Sequence, residues 1–212
     1  MSPHDLETAA AYDIFADDFA GKFNLHFTAF IRAEADRFLD HLPGNRVLDL
    51  GSAAGRHSAY FREQHCHPVC FDSSEALIQR CRAQGLPAVL ADMRNLPFAS
   101  GSFDGVWSYN SLLHLPKKDL PGAVDGIARV LGKNGILGVA VKEGEGEGFE
   151  THARYPGVKR YFSYFTDAEF RGFFDSRFQF IYASRMSVSG EHRTSPATYL
   201  DYLFRLKLPS KA

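Results

Sequence analysis

The segment Arg46 to Ser58, RVLDLGSAAGRHS, constrains this chain more than any other stretch. Val47, Leu48 and Leu50 read as a short buried strand, Gly51 and Gly55 punctuate a turn, and a helix is predicted to begin near Arg56. A strand that runs into a glycine turn and then a helix N-terminus is a recurrent nucleotide-binding element. The glycines carry no Cβ, so the backbone can turn sharply and come close to a ligand. The pattern is not the dinucleotide fingerprint G-x-G-x-x-G, because Asp49 stands two residues before the first glycine and Ala53 sits where a middle glycine is expected.

The 212 residues suit one α/β domain, long enough for a sheet covered on both faces. A 45% apolar and 23% charged composition is that of an ordinary globular protein, and a formal charge of −1 gives no global reason to expect nucleic acid as a partner. No apolar run approaches the roughly 18 residues of a membrane span, and the N-terminus lacks the order of a signal peptide. A cytoplasmic chain with no membrane partner is therefore expected, its Cys66, Cys70 and Cys81 being free thiols.

Residues up to about Leu42 read as helical. Phe15, Phe19, Phe23, Phe27 and Phe30 recur at steps of four, four, four and three, laying an aromatic stripe on one helical face, with Gly21 as a break or bend. The stripe suits a cap on the core or a lid over a binding site, so residues 1–42 are expected to form an N-terminal lid or cap. After the turn Pro43-Gly44-Asn45, strands are predicted at Val47–Leu50, His67–Phe71, Ala88–Leu90, Phe103–Ser108 and Ile136–Val141. Helices separate them, the last marked by Leu120, Val124, Ile127 and Leu131 with Pro121 in its first turn. That alternation predicts right-handed crossovers and a parallel sheet. The rhythm then changes: EGEGEG over Glu143–Gly148 reads as a loop, Thr166-Asp167-Ala168-Glu169 as a capping box, and Phe178–Arg185 with Tyr199–Lys207 as an antiparallel edge pair. Nothing marks a second domain.

Three acids take comparable places: Asp49 on the first strand, Asp72 at the end of the second, Asp92 after the third. Carboxyl ends of neighbouring parallel strands open on one edge, where ligands of open α/β sheets bind. Asp72 follows Asp49 by 23 residues, close to the roughly 20 at which an acid reaches a ribose. Its two oxygens suit vicinal hydroxyls. Asp49, beneath the turn, suits holding that turn or receiving an ammonium group. A nicotinamide dehydrogenase would want a third glycine at position 56, where Arg56 stands.

These residues resemble the class I S-adenosylmethionine-dependent methyltransferases, in particular the small bacterial methyltransferase type 11 group. The resemblance runs from Tyr12 to Lys207 through VLDLGSAAGRHS, CFDSSEALIQRCR, ADMRNLPFASGSFDGVWSYNSLLHLP, RVLGKNGIL and YFSYFTDAEF. It implies a Rossmann-like three-layer sandwich, with a seven-stranded, mostly parallel sheet and an antiparallel edge pair. It also implies S-adenosyl-L-methionine held by Tyr12, Asp49, Gly51, Ser52, Ala53, Gly55, Asp72, Ser73, Asp92, the Met93 backbone, Ser108, Tyr109 and Asn110. Asp72 would take the ribose, Asp92 and Met93 the adenine, and Ser108 to Asn110 the sulfonium side. The departure is Ala53, where the family has glycine.

Methyl transfer is mainly a matter of alignment, and a base is needed only for a protonated nucleophile. His114 in NSLLHLP and Tyr161 are the catalytic candidates. Residues 144–165 form a substrate-side insertion whose His152, Arg154, Arg160 and Tyr164 suit a substrate bearing a carboxylate or phosphate. No metal site is expected. His65, Cys66, His67 and Cys70 straddle a helix end and a strand with alternating faces, and the glutamates of EGEGEG lack calcium-loop spacing. The expected function is methyl transfer to a small-molecule acceptor. A tRNA or protein methyltransferase, with Arg154, Lys159 and Arg160 as its basic cluster, and a non-catalytic cofactor-binding module remain as alternatives. The acceptor atom and the oligomeric state are open.

Overall fold

The structure is a computed structural model that describes residues 3–22, 31–152, 155–188 and 197–208. Its elements in chain order are α1 (Pro3–Lys22), α2 (Arg32–His41), β1 (Arg46–Leu50), α3 (Arg56–Glu63), β2 (His67–Asp72), α4 (Glu75–Ala83), β3 (Ala88–Leu90) and β4 (Phe103–Tyr109). There follow α5 (Leu120–Val130), β5 (Leu131–Lys142), β6 (Glu147–His152), β7 (Tyr155–Ser163), α6 (Asp167–Gly172), β8 (Phe178–Val188) and β9 (Ala197–Leu206). Seven strands form one sheet in the order β3-β2-β1-β4-β5-β9-β8. The first five are parallel, and β9 runs antiparallel to both β5 and β8. The expected sheet is thus present, antiparallel edge pair included. No described helix is long and apolar enough to cross a membrane.

The strands are apolar on both faces because both are covered. Leu48 and Leu50 pack with Phe71, Val106 and the α5 residues Leu120, Val124 and Ile127. Val47, one residue out of phase, packs with Trp107, Ile136 and Ala140 against Phe38 of α2 and Phe61 of α3. Each large aliphatic side chain so buried contributes about 1.5–3 kcal/mol. The period of two therefore sorts β1 between two cores and makes three layers. The sheet's carboxyl edge is left as the place where β1, β2 and β4 release their loops.

The N-terminal segment is helical where described, as α1 over Pro3–Lys22 and α2 over Arg32–His41. Of the aromatic stripe only the Phe15 side chain falls among those described, and it is buried. Phe23, Phe27 and Phe30, and the Phe19 side chain, lie outside the described residues. One expectation needs correction: EGEGEG is not wholly a loop. Glu147 and Gly148 open β6, which pairs with β7 as a separate two-stranded sheet, Glu147 opposite Ser163. The Glu147 carboxylate accepts from the Lys117 N–H (2.7 Å) and the Ser163 hydroxyl (3.1 Å), long-range partners that no local propensity encodes.

Candidate active site

At the head of β1, Gly51 (φ +79°), Ala53 (φ +48°) and Gly55 (φ +81°) all take left-handed backbone. The N–H groups of Gly51 and Ser52 donate to the Phe71 carbonyl at 2.7 and 3.0 Å, which sews the turn to the end of β2. Behind Gly51 stands Ser111, whose Cβ would lie 2.2 Å from a Cβ at position 51. The Ser111 hydroxyl donates to the Leu50 carbonyl (2.6 Å) and lies 2.7 Å from the Ser108 hydroxyl, so two buried serines brace the turn from beneath. Sequence reading placed Ser108 in the site but missed Ser111, whose only signal was its position after β4. Ala53 holds a conformation that costs an L-residue about 1–2 kcal/mol, offset in part by the greater unfolded-state freedom of glycine. Ala53→Gly is accordingly expected to stabilise the fold by about 0.5–1 kcal/mol in urea titration, and an unchanged or lower midpoint would show that the turn accepts alanine without strain.

Asp72 ends β2 against this turn. Its Oδ2 accepts from the Ala53 N–H (2.9 Å) and its Oδ1 from the Ser74 N–H (3.0 Å), with the Ser73 backbone adding a further bond. Burial raises its pKa, against the pull of those donors. The carboxylate is therefore fixed in place with lone pairs remaining on both oxygens. Ser74 caps α4 as its sequence suggested, accepting from Leu77 N–H (3.2 Å). Asp13 of α1 then accepts from the Ser74 hydroxyl and from Ala76 N–H (3.0 Å), which docks the N-terminal helix beside Asp72.

Asp49 is 1% exposed. Its Oδ2 accepts from Ser58 N–H (3.1 Å) and the Ser58 hydroxyl (2.8 Å), tying the first turn of α3 to β1. Its Oδ1 finds no hydrogen bond among the described residues, and burial pushes the carboxyl up to about 7. Asp92 differs from expectation. Burial alone would raise it, but bonds from the Arg94 side chain and N–H hold it below the usual carboxylate range. Both oxygens are clamped by Arg94, at 3.0–3.2 Å from N–H and Nε and 2.5 Å from Nη2. Asp92 is thus not the open acceptor implied by the resemblance. Met93 lies partly buried against the core beside it.

Past β4 the residues separate by face. Ser108 is fully buried under the turn, whereas Tyr109 turns to the opposite layer and stacks on Trp107 with ring centroids 5.2 Å apart. Tyr109 therefore belongs to the core between β4 and α2 and does not line the sulfonium side, because the strand's period of two sends it there. Asn110 takes φ +58°, and its N–H donates to the Ala140 carbonyl (2.9 Å).

His114 sits on a short 3₁₀ turn, Leu112–His114. Its Nδ1 lies 2.7 Å from the Tyr161 carbonyl, and its Nε2 lies 2.8 Å from the Tyr12 hydroxyl. A carbonyl only accepts, so Nδ1 carries the proton and Nε2 accepts from Tyr12. Burial, aided by the charges of Arg160 and Lys142, pushes the imidazole down to about 3, so it is neutral across ordinary pH. Tyr161 meets His114 through its backbone: its carbonyl serves His114 and its N–H donates to Thr8 of α1 (3.0 Å), while its hydroxyl donates to the Glu147 carboxylate. Its ring meets Phe149, and burial with the nearby Glu147 carboxylate pushes its hydroxyl up to about 12. Arg160, Phe162 and Tyr164 share the other parity, and it is those side chains that gather with Tyr12 and Lys142. The side chains of His152 and Arg154 lie outside the described residues. Cys70 donates its S–H to the Ser58 hydroxyl (3.1 Å), and no group of three or more metal-ligating side chains occurs among the described residues.

Residues 47–135, from the glycine turn through Asp72 to the end of α5, match the family described as "Methyltransferase domain". That stretch, under half of the chain, is similar to a methyltransferase domain. The domain is similar to methyltransferase GfsG of Streptomyces halstedii, 32% identical over 111 residues that make up 48% of this chain and 39% of that protein. The chain thus spans well under half the length of that relative. In fold it is similar to the 1,6-didemethyltoxoflavin-N1-methyltransferase of Burkholderia thailandensis, whose structure contains S-adenosylhomocysteine, with TM-score 0.72, 20% identity, and 97% and 91% of the two chains covered. It is also similar to the [4+2]-cyclase SpnF, with TM-score 0.59, 18% identity, and 81% and 79% covered. At such identities the likeness is one of fold, and SpnF shows that the fold also serves other chemistry.

Proposed function

We propose that this chain binds S-adenosylmethionine and transfers its methyl group to a small-molecule acceptor. The observation that carries this reading is the convergence of the Gly51–Gly55 turn, the fixed Asp72 carboxylate and a cluster of Tyr12, His114, Phe162 and Tyr164. The residues present fit the donor. Asp72 offers two preset oxygens to vicinal hydroxyls, and the buried Asp49 Oδ1 is an orphaned acceptor at the base of the turn, of the kind an ammonium donor satisfies. When bound, S-adenosylmethionine supplies a sulfonium-activated methyl carbon that an acceptor lone pair attacks in line as the carbon–sulfur bond breaks.

The protein's part is positioning, which can be worth effective molarities of about 10⁵ M or more. α1 spans the site, bonded to α4 through Asp13 and to β7 through Thr8, so Tyr12 is presented from a helix anchored at two places. His114 is a weak base with its lone pair already receiving the Tyr12 proton. It holds Tyr12 in register and, with so low a pKa, retains no added proton at ordinary pH. The arrangement therefore suits acceptors that arrive with little proton to lose.

Against the nucleic-acid alternative, Arg160 turns inward onto Tyr12 and only Lys159 of the described pair stands exposed, so those two make no basic rim. Calorimetry with S-adenosylmethionine and an acceptor screen read by S-adenosylhomocysteine release test the proposal. Micromolar binding with acceptor-dependent release is expected. Failure to bind the donor overturns it, and binding with no release on any acceptor points to the cofactor-binding module.

A further inference from the structure

α1 touches both halves of the proposed site through two successive residues. Tyr12 and Asp13 lie on the order of 100° apart around the helix, so each faces a different wall. Toward β7, the Tyr12 hydroxyl donates to His114 Nε2 at 2.8 Å. Toward α4, the Asp13 carboxylate accepts from the Ser74 hydroxyl and from Ala76 N–H at 3.0 Å. Two further bonds hold the helix at these walls. Thr8 accepts from Tyr161 N–H at 3.0 Å, and Asp17 accepts from Arg80.

Ser74 is where Asp13 and Asp72 meet. Its N–H donates to Asp72 Oδ1 at 3.0 Å, its hydroxyl donates to Asp13, and its oxygen accepts from Leu77 N–H at 3.2 Å. With α1 in place Ser74 is fully buried. Asp13 thus fixes the rotation of the Ser74 hydroxyl, and with it the first turn of α4 from which Asp72 is held. Asp13 also acts on Asp72 through its charge. Burial is the main cause that raises the Asp72 carboxyl, and the Asp13 carboxylate adds a smaller push in the same direction.

The two carboxylates are held near one another only while α1 is docked. Hydroxyl donors and a positive charge arriving at Asp72 offset their repulsion, and they do so in the docked arrangement alone. A ligand shifts an equilibrium by its differential affinity for the two states, so a ligand of that chemistry tightens the docking of α1. Such coupling is reciprocal, and a docked α1 tightens the ligand in turn.

We infer that Asp13 is a positioning residue that links occupancy of the Asp72 site to the placing of Tyr12 against His114, a link that rests on the methyl-transfer reading for the identity of the ligand at Asp72. A bound donor thereby aligns the acceptor side. If packing were all that held α1, the helix would be a fixed cap, indifferent to what Asp72 holds.

Amide hydrogen exchange of the full chain, with and without saturating S-adenosylmethionine, separates the two. The donor is expected to slow exchange of the α1 amides about tenfold, within the usual range of coupling between sites. Asp13→Ala should abolish that slowing and, by reciprocity, weaken S-adenosylmethionine about fivefold to tenfold in calorimetry. Asp13→Asn keeps both acceptor bonds without the charge, so α1 should stay docked while most of its response to the donor is lost. The His114 Nε2 resonance, which reports the bond from Tyr12, should move on donor binding in the parent and stay in place in Asp13→Ala. Exchange in α1 that ignores the donor overturns the inference and leaves the donor reading standing. So does slowing that survives Asp13→Ala, or an Asp13→Asn chain that responds as the parent does. If Asp13→Ala does not unfold cooperatively, the parent and Asp13→Asn decide the question. A parent chain that fails to bind S-adenosylmethionine overturns both the inference and the donor reading.

Discussion

Replacing Asp72 with alanine is expected to weaken S-adenosylmethionine binding about 100-fold or more. Two hydrogen bonds from ribose hydroxyls to a charged acceptor are together worth about 3 kcal/mol or more, and 1.4 kcal/mol is a factor of ten. A second loss adds to this. The Ala53 and Ser74 N–H groups, which now donate to Asp72 at 2.9 and 3.0 Å, would be left without their acceptor, so the left-handed turn loses one of the bonds that hold it against β2. Asp72→Asn keeps the size and one acceptor oxygen and should fall between the two. Calorimetry reads the effect directly, with thermal melting to show that each variant is folded. An affinity within about threefold of the parent would mean that the ribose lies elsewhere, because no charge-assisted pair is so weak.

The second large effect is in the pH dependence carried by His114. Its folded pKa of about 3 lies below the ordinary histidine value near 6.5, so the unfolded chain binds the proton first. The His114 contribution to stability is therefore complete above about pH 6.5 and is lost as pH falls toward 3. Burial is the largest cause and outweighs the bond to the Tyr161 carbonyl, which favours the charged form; the positive charges of Arg160 and Lys142 add smaller pushes toward the neutral form. Tyr12, the remaining group facing the ring, donates to Nε2 and so also favours the neutral imidazole.

Whole-protein stability mixes this with opposite contributions. Asp49 and Asp201 are both pushed up to about 7 by burial, so their contributions are present below the ordinary aspartate pKa and are lost as pH rises through 7. The clean measurement is the difference between the parent and His114→Gln across pH. That difference should shrink by roughly 3 kcal/mol between pH 6.5 and 4, at about 1.4 kcal/mol per unit. A flat difference would show that His114 titrates as it does in the unfolded chain and is not sealed beneath α1 and the hairpin. The same variant tests the positioning role. If His114 only holds Tyr12, its loss should lower turnover with little change in donor affinity, and the pH profile should show no acid limb near 6.5 in the parent.

The sequence by itself determined the frame. Apolar runs of strand length alternating with amphipathic helices required a two-faced parallel sheet, and Gly51, Gly55, Asp72 and the cap at Ser74 placed a ligand-binding edge at its carboxyl end. These are local signals: a positive φ needs glycine, a helix start needs an oxygen, and a buried strand needs apolar residues on every position. Ala53 was legible as an irregular residue, but only the structure showed that it takes φ +48° and lends its N–H to Asp72.

Tertiary structure decided everything that depends on which face a side chain takes or on which distant group it meets. Tyr161 and Tyr109 were candidates by position, and the period of two turned both rings away from the cluster of Tyr12, His114 and Phe162. Tyr161 meets His114 through its carbonyl, which no side-chain motif reveals. Asp92 was open in the sequence and is clamped by Arg94 in the fold. Lys142 carried no signal at all, because its meaning comes from Phe162, twenty residues away and on another sheet. His114 was visible as a base, yet its tautomer, its neutral state and its bond to Tyr12 arise from contacts 47 and 102 residues distant along the chain. Spacing along a chain can specify a backbone conformation and the atoms it presents, whereas a side chain's proton and field are set by neighbours that only folding brings together.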